Sequence, residues 1–266
     1  MQKTKTYPSD LSEKEWETIM PYLPAPCPAG RPMELLWRDI IDGIFYVNKT
    51  GCQWRALPSD FPAWQSVYRY FRWLSEADWW QKLNDYLSQE YRLVIKREAD
   101  PSAGSIDSQS VKASETGSHH GYDAGKKIKG SKRHILVDTQ GLLLTAVVHS
   151  AAVQDYDGAK LVFEQANLKA RVSKLELIWA DGSYDKERVK QAAQEYGWKI
   201  EVIKRSDNAK GFELLPRRWV VERTFSWFMR QRRLVRDYER KSHSVECFIY
   251  LAMCRLLLRS LLKLEL

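Results

Sequence analysis

The chain has 266 residues, 44% of them hydrophobic, and carries 42 Lys and Arg against 34 Asp and Glu, a formal net charge of +8. That length and apolar content suffice for a real core in one large or two smaller domains, which excludes disorder as the default state. The cationic excess favours a polyanionic partner, most simply nucleic acid, over a basic protein with no such partner.

The start, Met1 to Thr6, leads into no apolar signal segment, so a cytoplasmic location is expected. Ser12 with Glu15 three residues on forms a capping-box pattern ahead of Trp16, Ile19 and Met20. Pro24, Pro26, Pro28, Gly30 and Pro32 break the chain. A second helix is expected over Met33 to Lys49, with Leu36, Ile40, Ile44 and Val47 on one face. After a break at Leu57 to Pro62, a third helix turns Trp64, Val67, Phe71 and Leu74 inward and Gln65, Arg69 and Arg72 outward. Those outward donors resemble the reading face of a helix-turn-helix unit, although an ordinary amphipathic helix has the same texture. Asp78 is placed to cap a fourth helix through Leu83, Leu87 and Tyr91, and residues 96–104 read as a linker. The expected division is a helical DNA-binding domain over 1–98 and a second domain over 99–266.

Beyond the linker, strands alternate with helices. Strands are expected ending at Asp107, at His134 to Asp138, Leu142 to His149, Leu175 to Trp179 and Trp198 to Ile203. Helices are expected at Asp157 to Asn167, Asp185 to Tyr196 and from about Pro216 onward. The order β-β-β-α-β-α-β-α suits an antiparallel meander followed by parallel crossovers, which is the ribonuclease H-like plan in an α+β chain. In that plan the first and fourth strands are neighbours. The C-terminal apolar stretch is interrupted by Arg255 and Arg259 and is too short to span a membrane. Cys27, Cys52, Cys247 and Cys254 form no close pair; Cys247 and Cys254 read as buried thiols, which suits a reducing compartment.

Three acids occupy different settings: Asp107 on a strand, Asp181 at a strand end and Glu222 inside a helix. Singly, Asp107 reads as a strand-end cap, Asp181-Gly182 as a turn, and Glu222 as an ion pair with Arg218 one helical turn away. Together, on this topology, they suit a site for two divalent ions roughly 3.5–4 Å apart, serving in-line attack at phosphorus. Magnesium prefers such oxygen ligands, and manganese is expected to substitute. Arg218 is placed to grip a phosphate by two donors, and Arg230 and Arg233 continue the basic surface. The run Lys126, Lys127, Lys129, Lys132 and Arg133 reads as a phosphate-neutralising patch, or as a solvated charge run. The preceding His119-His120 suits solvent exposure or phosphate contact better than metal.

Five segments carry a resemblance to a known family: Ser105 to Lys112, Gly121 to Gly130, Arg133 to Asp138, Trp179 to Tyr184 and Arg218 to Arg223, with Trp54 to Pro58 in the helical part. The chain resembles, over nearly its whole length, a DDE transposase of a bacterial insertion sequence, of the insertion-sequence-five family. The resemblance implies a catalytic triad of Asp107, Asp181 and Glu222, a ribonuclease H-like core and two magnesium ions. It further implies cleavage at the terminal inverted repeats of a mobile element, joining of 3′-hydroxyl ends to target double-stranded DNA, and a homodimer in the nucleoid. Related transposases carry a Tyr, Arg, Glu, Lys signature around the last acid. Arg218 and Glu222 match its spacing, its Tyr position falls on Leu215 and its Lys position on Met229, with Arg230 or Arg233 as the substitute cation. Two other outcomes stay open: a catalytically silent DNA-binding descendant, and a ribonuclease H-like nuclease or resolvase that cuts without joining.

Overall fold

A computed structural model describes residues 6–25, 35–115, 121–165, 168–203 and 216–264. The helical part comprises α1 (Glu13–Ile19), α2 (Trp37–Thr50), α3 (Trp64–Glu76) and α4 (Trp79–Val94). The capping box forms as read: Ser12 Oγ accepts from Glu15 N–H, and the Glu15 carboxylate accepts from Ser12 N–H at 2.7 Å. On α3, Val67, Phe71 and Leu74 are buried, while Gln65, Arg69 and Arg72 face outward. Arg72 pairs with Glu76 one turn on. Asp78 stands at the start of α4, but with φ of 53° and no side-chain cap bond. The connection from α2 to α3, residues 51–63, contains a short 3-10 turn. It is much longer than the three- or four-residue turn of a helix-turn-helix unit.

The remainder contains β1 (Ala103–Lys112), β2 (Gly121–Asp123), β3 (Ile128–Asp138), β4 (Leu143–Ser150), α5 (Asp155–Phe163), α6 (Leu168–Arg171), β5 (Leu177–Ala180), α7 (Glu187–Glu195), β6 (Lys199–Val202), α8 (Pro216–Phe228) and α9 (Ser242–Leu264). β1 pairs antiparallel with β3, and β3 pairs antiparallel with both β2 and β4. On the other side of β1, β5 and then β6 add in parallel. This is the ribonuclease H-like arrangement expected from the order of elements, with first and fourth major strands adjacent. β3 begins at Ile128, earlier than the apolar pattern suggested, and β2 was not anticipated.

The two faces of the sheet differ. Ile106 and Leu136 point into a core with α5 and α7 residues such as Val162 and Ala193. Ile135 and Val137 point into the opposite core, shared with Val221, Phe225 and Phe228 of α8 and with α9. That second core also contains Ile40, Ile44, Phe71, Leu74 and Leu83, so the N-terminal helices and the sheet bury their apolar faces against the same long α9. Arg255 of α9 reaches Glu15 of α1 at 2.7 Å, both nearly buried. Cys247 and Cys254 are buried free thiols, as expected. No helix among the described residues is long and apolar enough to cross a membrane.

Candidate active site

β1 and β5 run side by side with Ser105 opposite Trp179. Two residues farther along each strand direction stand Asp107, still on β1, and Asp181, just beyond β5. Equal offsets along adjacent parallel strands bring the two carboxylates to neighbouring positions at the strand ends. Asp181 also caps a 3-10 turn over Gly182–Tyr184, where its Oδ1 accepts from Ser183 N–H at 2.8 Å. Asp107 Oδ1 accepts from Ser108 N–H at 2.7 Å. Both aspartates are half-buried. Tyr184, wholly buried behind them, has its phenol pushed well above its ordinary value by burial first, then by the charges of Asp107, Asp155 and Asp181.

Asp107 alternates with Ile106 and pairs across to Ile135, so it belongs to the sheet face that α8 covers. α8 packs on β1, β3 and β5. Val221, Phe225 and Phe228 fasten it there, leaving Glu222 exposed on an adjoining side of the helix. Arg218 lies in α8 by its backbone, while its side chain and those of Leu215, His119 and His120 lie outside the described residues. The donors are hard carboxylate oxygens on two neighbouring strands and one overlying helix, a set whose chemistry fits magnesium or manganese. Among the described residues, no three acidic, His or Cys side chains already stand close enough together to hold an ion.

The basic run divides by burial. Lys132 is buried, donates to Asp155 at 2.9 Å and to Val153 O at 2.8 Å, and lies 3.3 Å from Asp123. Arg133 is 1% exposed and donates to Leu234 O at 2.6 Å. Arg233 is also buried, held by Glu239 and by Cys52 O. The structure places Lys132, Arg133 and Arg233 inside the fold and engages each with protein partners, unlike the open surface position that the sequence pattern suggested. Lys126 is tied to Ser108, its Nζ donating to the carbonyl and hydroxyl at 3.0 and 2.9 Å. Lys127, Lys129 and Arg230 are exposed.

Sequence reading missed the polar network around Lys132. Asp123 accepts from Ser110 at 2.6 Å, and Asp155 accepts from Ser108 at 2.8 Å. Burial alone would raise the Asp123 carboxyl, but Ser110, the Lys126 N–H and Lys132 outweigh it and hold it at about 2. The signal available was the alternation Ser108, Ser110 on one strand face, easily read as solvent exposure. His134 and His149 stack beside this network with Nδ1 and Nε2 2.8 Å apart. His149 Nδ1 lies 2.9 Å from Ser150 O and so carries its proton there, which leaves its Nε2 to accept from His134.

Burial, and then the neighbouring His149, depress His134 to about 3; burial likewise lowers His149. Between that value and about 6.5 the unfolded chain binds more protons than the native one, so stability rises with pH across this window and is lost on acidification. The slope is about 1.4 kcal/mol per pH unit for each fully suppressed proton. Thermal melts at pH 7 and pH 5 are expected to show a marked loss at pH 5, reduced in His134→Gln. Equal losses in both proteins would remove His134 as the source.

Residues 98–258 match the family described as a transposase DDE domain, and residues 11–84 match a family of putative transposases of the IS4/5 group. The chain is 32% identical over 130 residues to a putative transposase for insertion sequence element IS402 from Burkholderia cepacia, an alignment covering 47% of this chain and 61% of that protein. It is 31% identical over 110 residues to a 16.2 kDa uncharacterized protein of the same element, covering 39% of this chain and 73% of the relative. An uncharacterized protein, y4sN, of Sinorhizobium fredii is 27% identical over 124 residues, covering 46% of this chain and 87% of its own.

Proposed function

This chain belongs to the DDE transposase family, and from that premise we propose that it cuts the ends of its own insertion sequence and joins them to target DNA. The observation that carries the proposal is the placement of Asp107 and Asp181 at equal offsets on adjacent parallel strands, under a helix bearing Glu222. In this reading the three carboxylates hold magnesium or manganese, probed most directly with two-ion titrations. Divalent ions, when bound, supply a more acidic attacking hydroxyl and charge neutralisation at the leaving oxygen. Water attacks the phosphorus at the element end and the 3′-oxygen leaves as a hydroxyl. That hydroxyl then attacks a target phosphodiester, expelling a second 3′-oxygen. Both steps are displacements at phosphorus, so one site serves both.

Residues 1–98 are proposed to read the terminal inverted repeats through Gln65, Arg69 and Arg72, and residues 99–266 to carry the chemistry. Lys126, Lys127, Lys129 and Arg230 are proposed phosphate contacts because they remain exposed. A homodimer on DNA follows from the need to join two ends in concert. Supplying the full chain with end DNA, target plasmid and magnesium tests the reading: joined product is expected, and cleavage without joining points to a nuclease. Binding without either reaction points to the silent descendant, a reading that the retained acids Asp107, Asp181 and Glu222 argue against.

Arg218 provides a separate test. It precedes Glu222 by one turn, so its guanidinium is proposed to fork a phosphate beside the carboxylates. Arg218→Lys keeps the charge and loses the fork. Single-turnover cleavage of pre-bound DNA is expected to slow far more than binding weakens, and Arg218→Ala is expected to be worse. An unchanged single-turnover rate in Arg218→Ala would leave only an ion pair with Glu222.

A further inference from the structure

Glu222 sits on a helix whose position is fixed by a contact far from the acidic residues in sequence. The next residue, Arg223, lays its guanidinium 4.7 Å from the ring centroids of both Trp219 and Trp227. From that sandwich its Nη2 donates to Gln140 O at 2.7 Å. Thr224 is wholly buried, and its Oγ1 stands 2.8 Å from Gly141 O and 3.2 Å from Val220 O in its own helix. Two consecutive side chains of α8 therefore grip two consecutive carbonyls of the turn between β3 and β4.

The turn is built to be gripped. Gly141 has φ of +81°, and a Cβ there would stand 2.7 Å from Thr224 Oγ1 and 3.3 Å from Trp227. Only glycine lets the helix approach this closely without strain. Asp138 stiffens the turn: its Oδ1 accepts from Gln140 N–H and Leu142 N–H, each at 2.8 Å. The other carboxylate oxygen pairs with Arg92 of α4, both side chains nearly inaccessible. A continuous set of hydrogen bonds thus runs from the N-terminal helices through the turn to the residues beside Glu222.

We propose that Thr224 and Arg223 are positioning residues that set the Glu222 carboxylate against Asp107 and Asp181 by anchoring α8 to the Gln140-Gly141 turn. The proposal rests on the acidic-site reading given above. The physical reason is leverage. Apolar packing of Val221, Phe225 and Phe228 holds the helix on the sheet but is non-directional, and tolerates rotation or sliding. Hydrogen bonds to fixed carbonyls set the helix rotation, and misplacement of about 1 Å at a reacting centre can cost about a hundredfold in rate.

The test uses the full chain and Mn2+ alone, titrated by electron paramagnetic resonance, with single-turnover cleavage as a second readout. Thr224→Val keeps shape and loses the hydroxyl; Thr224→Ser keeps the hydroxyl. Thr224→Val is expected to bind Mn2+ about tenfold more weakly, the low end for partners outside the ligand sphere. Its half-saturating Mn2+ for cleavage should rise in step, and Thr224→Ser should restore both. Arg223→Gln, which leaves the core untouched, should move Mn2+ affinity in the same direction. Glu222→Gln is the benchmark. If Glu222→Gln weakens Mn2+ binding while Thr224→Val and Arg223→Gln do not, the anchor is overturned and the acidic site stands. If Glu222→Gln binds Mn2+ as the wild type does, the acidic-site reading falls and the anchor with it. Equal impairment in Thr224→Val and Thr224→Ser would also overturn the anchor, since packing and not the hydroxyl would then be responsible.

Discussion

Asp107→Asn, Asp181→Asn and Glu222→Gln are each expected to abolish DNA cleavage and joining while leaving binding to element ends in place. Each amide keeps the size of the side chain and removes one negative oxygen. A hard divalent ion loses a charged ligand, and with it several kcal/mol of transition-state stabilisation. At 1.36 kcal/mol per factor of ten, that is a loss of about a thousandfold or more. End binding is proposed to draw on exposed cations and on the outward face of α3, so gel shifts should be nearly unchanged. Chelation of divalent ions should reproduce the loss in the wild-type protein. Cleavage and gel shift are measured in parallel on the same preparations. Near-normal cleavage by any one variant removes that residue from the site, and a parallel loss of end binding in all three would make the acids structural.

The sheet order was legible because each strand lay between clear breaks, and because crossover rules leave few ways to arrange three antiparallel strands followed by two parallel ones. The capping box at Ser12 and Glu15 was legible because both partners are local. β2 and the first half of β3 were not legible. Lys129, Lys132 and Arg133 hide the strand period, since the pattern assumes that polar residues face water. Here Lys132 faces one buried side and Arg133 the other. Nor could local pattern reveal that Glu15 and Arg255 meet, or that α9 joins the N-terminal helices to the sheet. Those contacts join segments far apart in the chain, and only packing decides between the apolar faces available. The shared core also means that cutting the chain near residue 98 would expose apolar surface on both pieces, so tests of end recognition belong on the whole protein.

Lys132→Ala is expected to destabilise the fold severely, whereas Lys127→Ala and Lys129→Ala are expected to weaken DNA binding at nearly unchanged stability. The three lysines lie within six residues, and composition alone treats them alike. Lys132 balances Asp123 and Asp155 at a site where its own side chain is 4% exposed. Removing it leaves two carboxylates facing one another in low dielectric, and breaking such a buried pair costs about 3–5 kcal/mol. A domain stable by about 5–15 kcal/mol then loses a large share of its margin. Lys127 and Lys129 lose only solvated charge, an effect within about 0.5 kcal/mol on stability. Each phosphate contact they make should lower the salt slope of DNA binding by about 1 when removed. Denaturant melts and salt-dependent gel shifts on the three variants separate the roles. A Lys132→Ala protein that melts like the wild type but binds DNA weakly would return that residue to the DNA surface. Restored stability in Lys132→Arg, with DNA affinity unchanged, would instead fix its role as the cation that lets two aspartates stay charged behind β1.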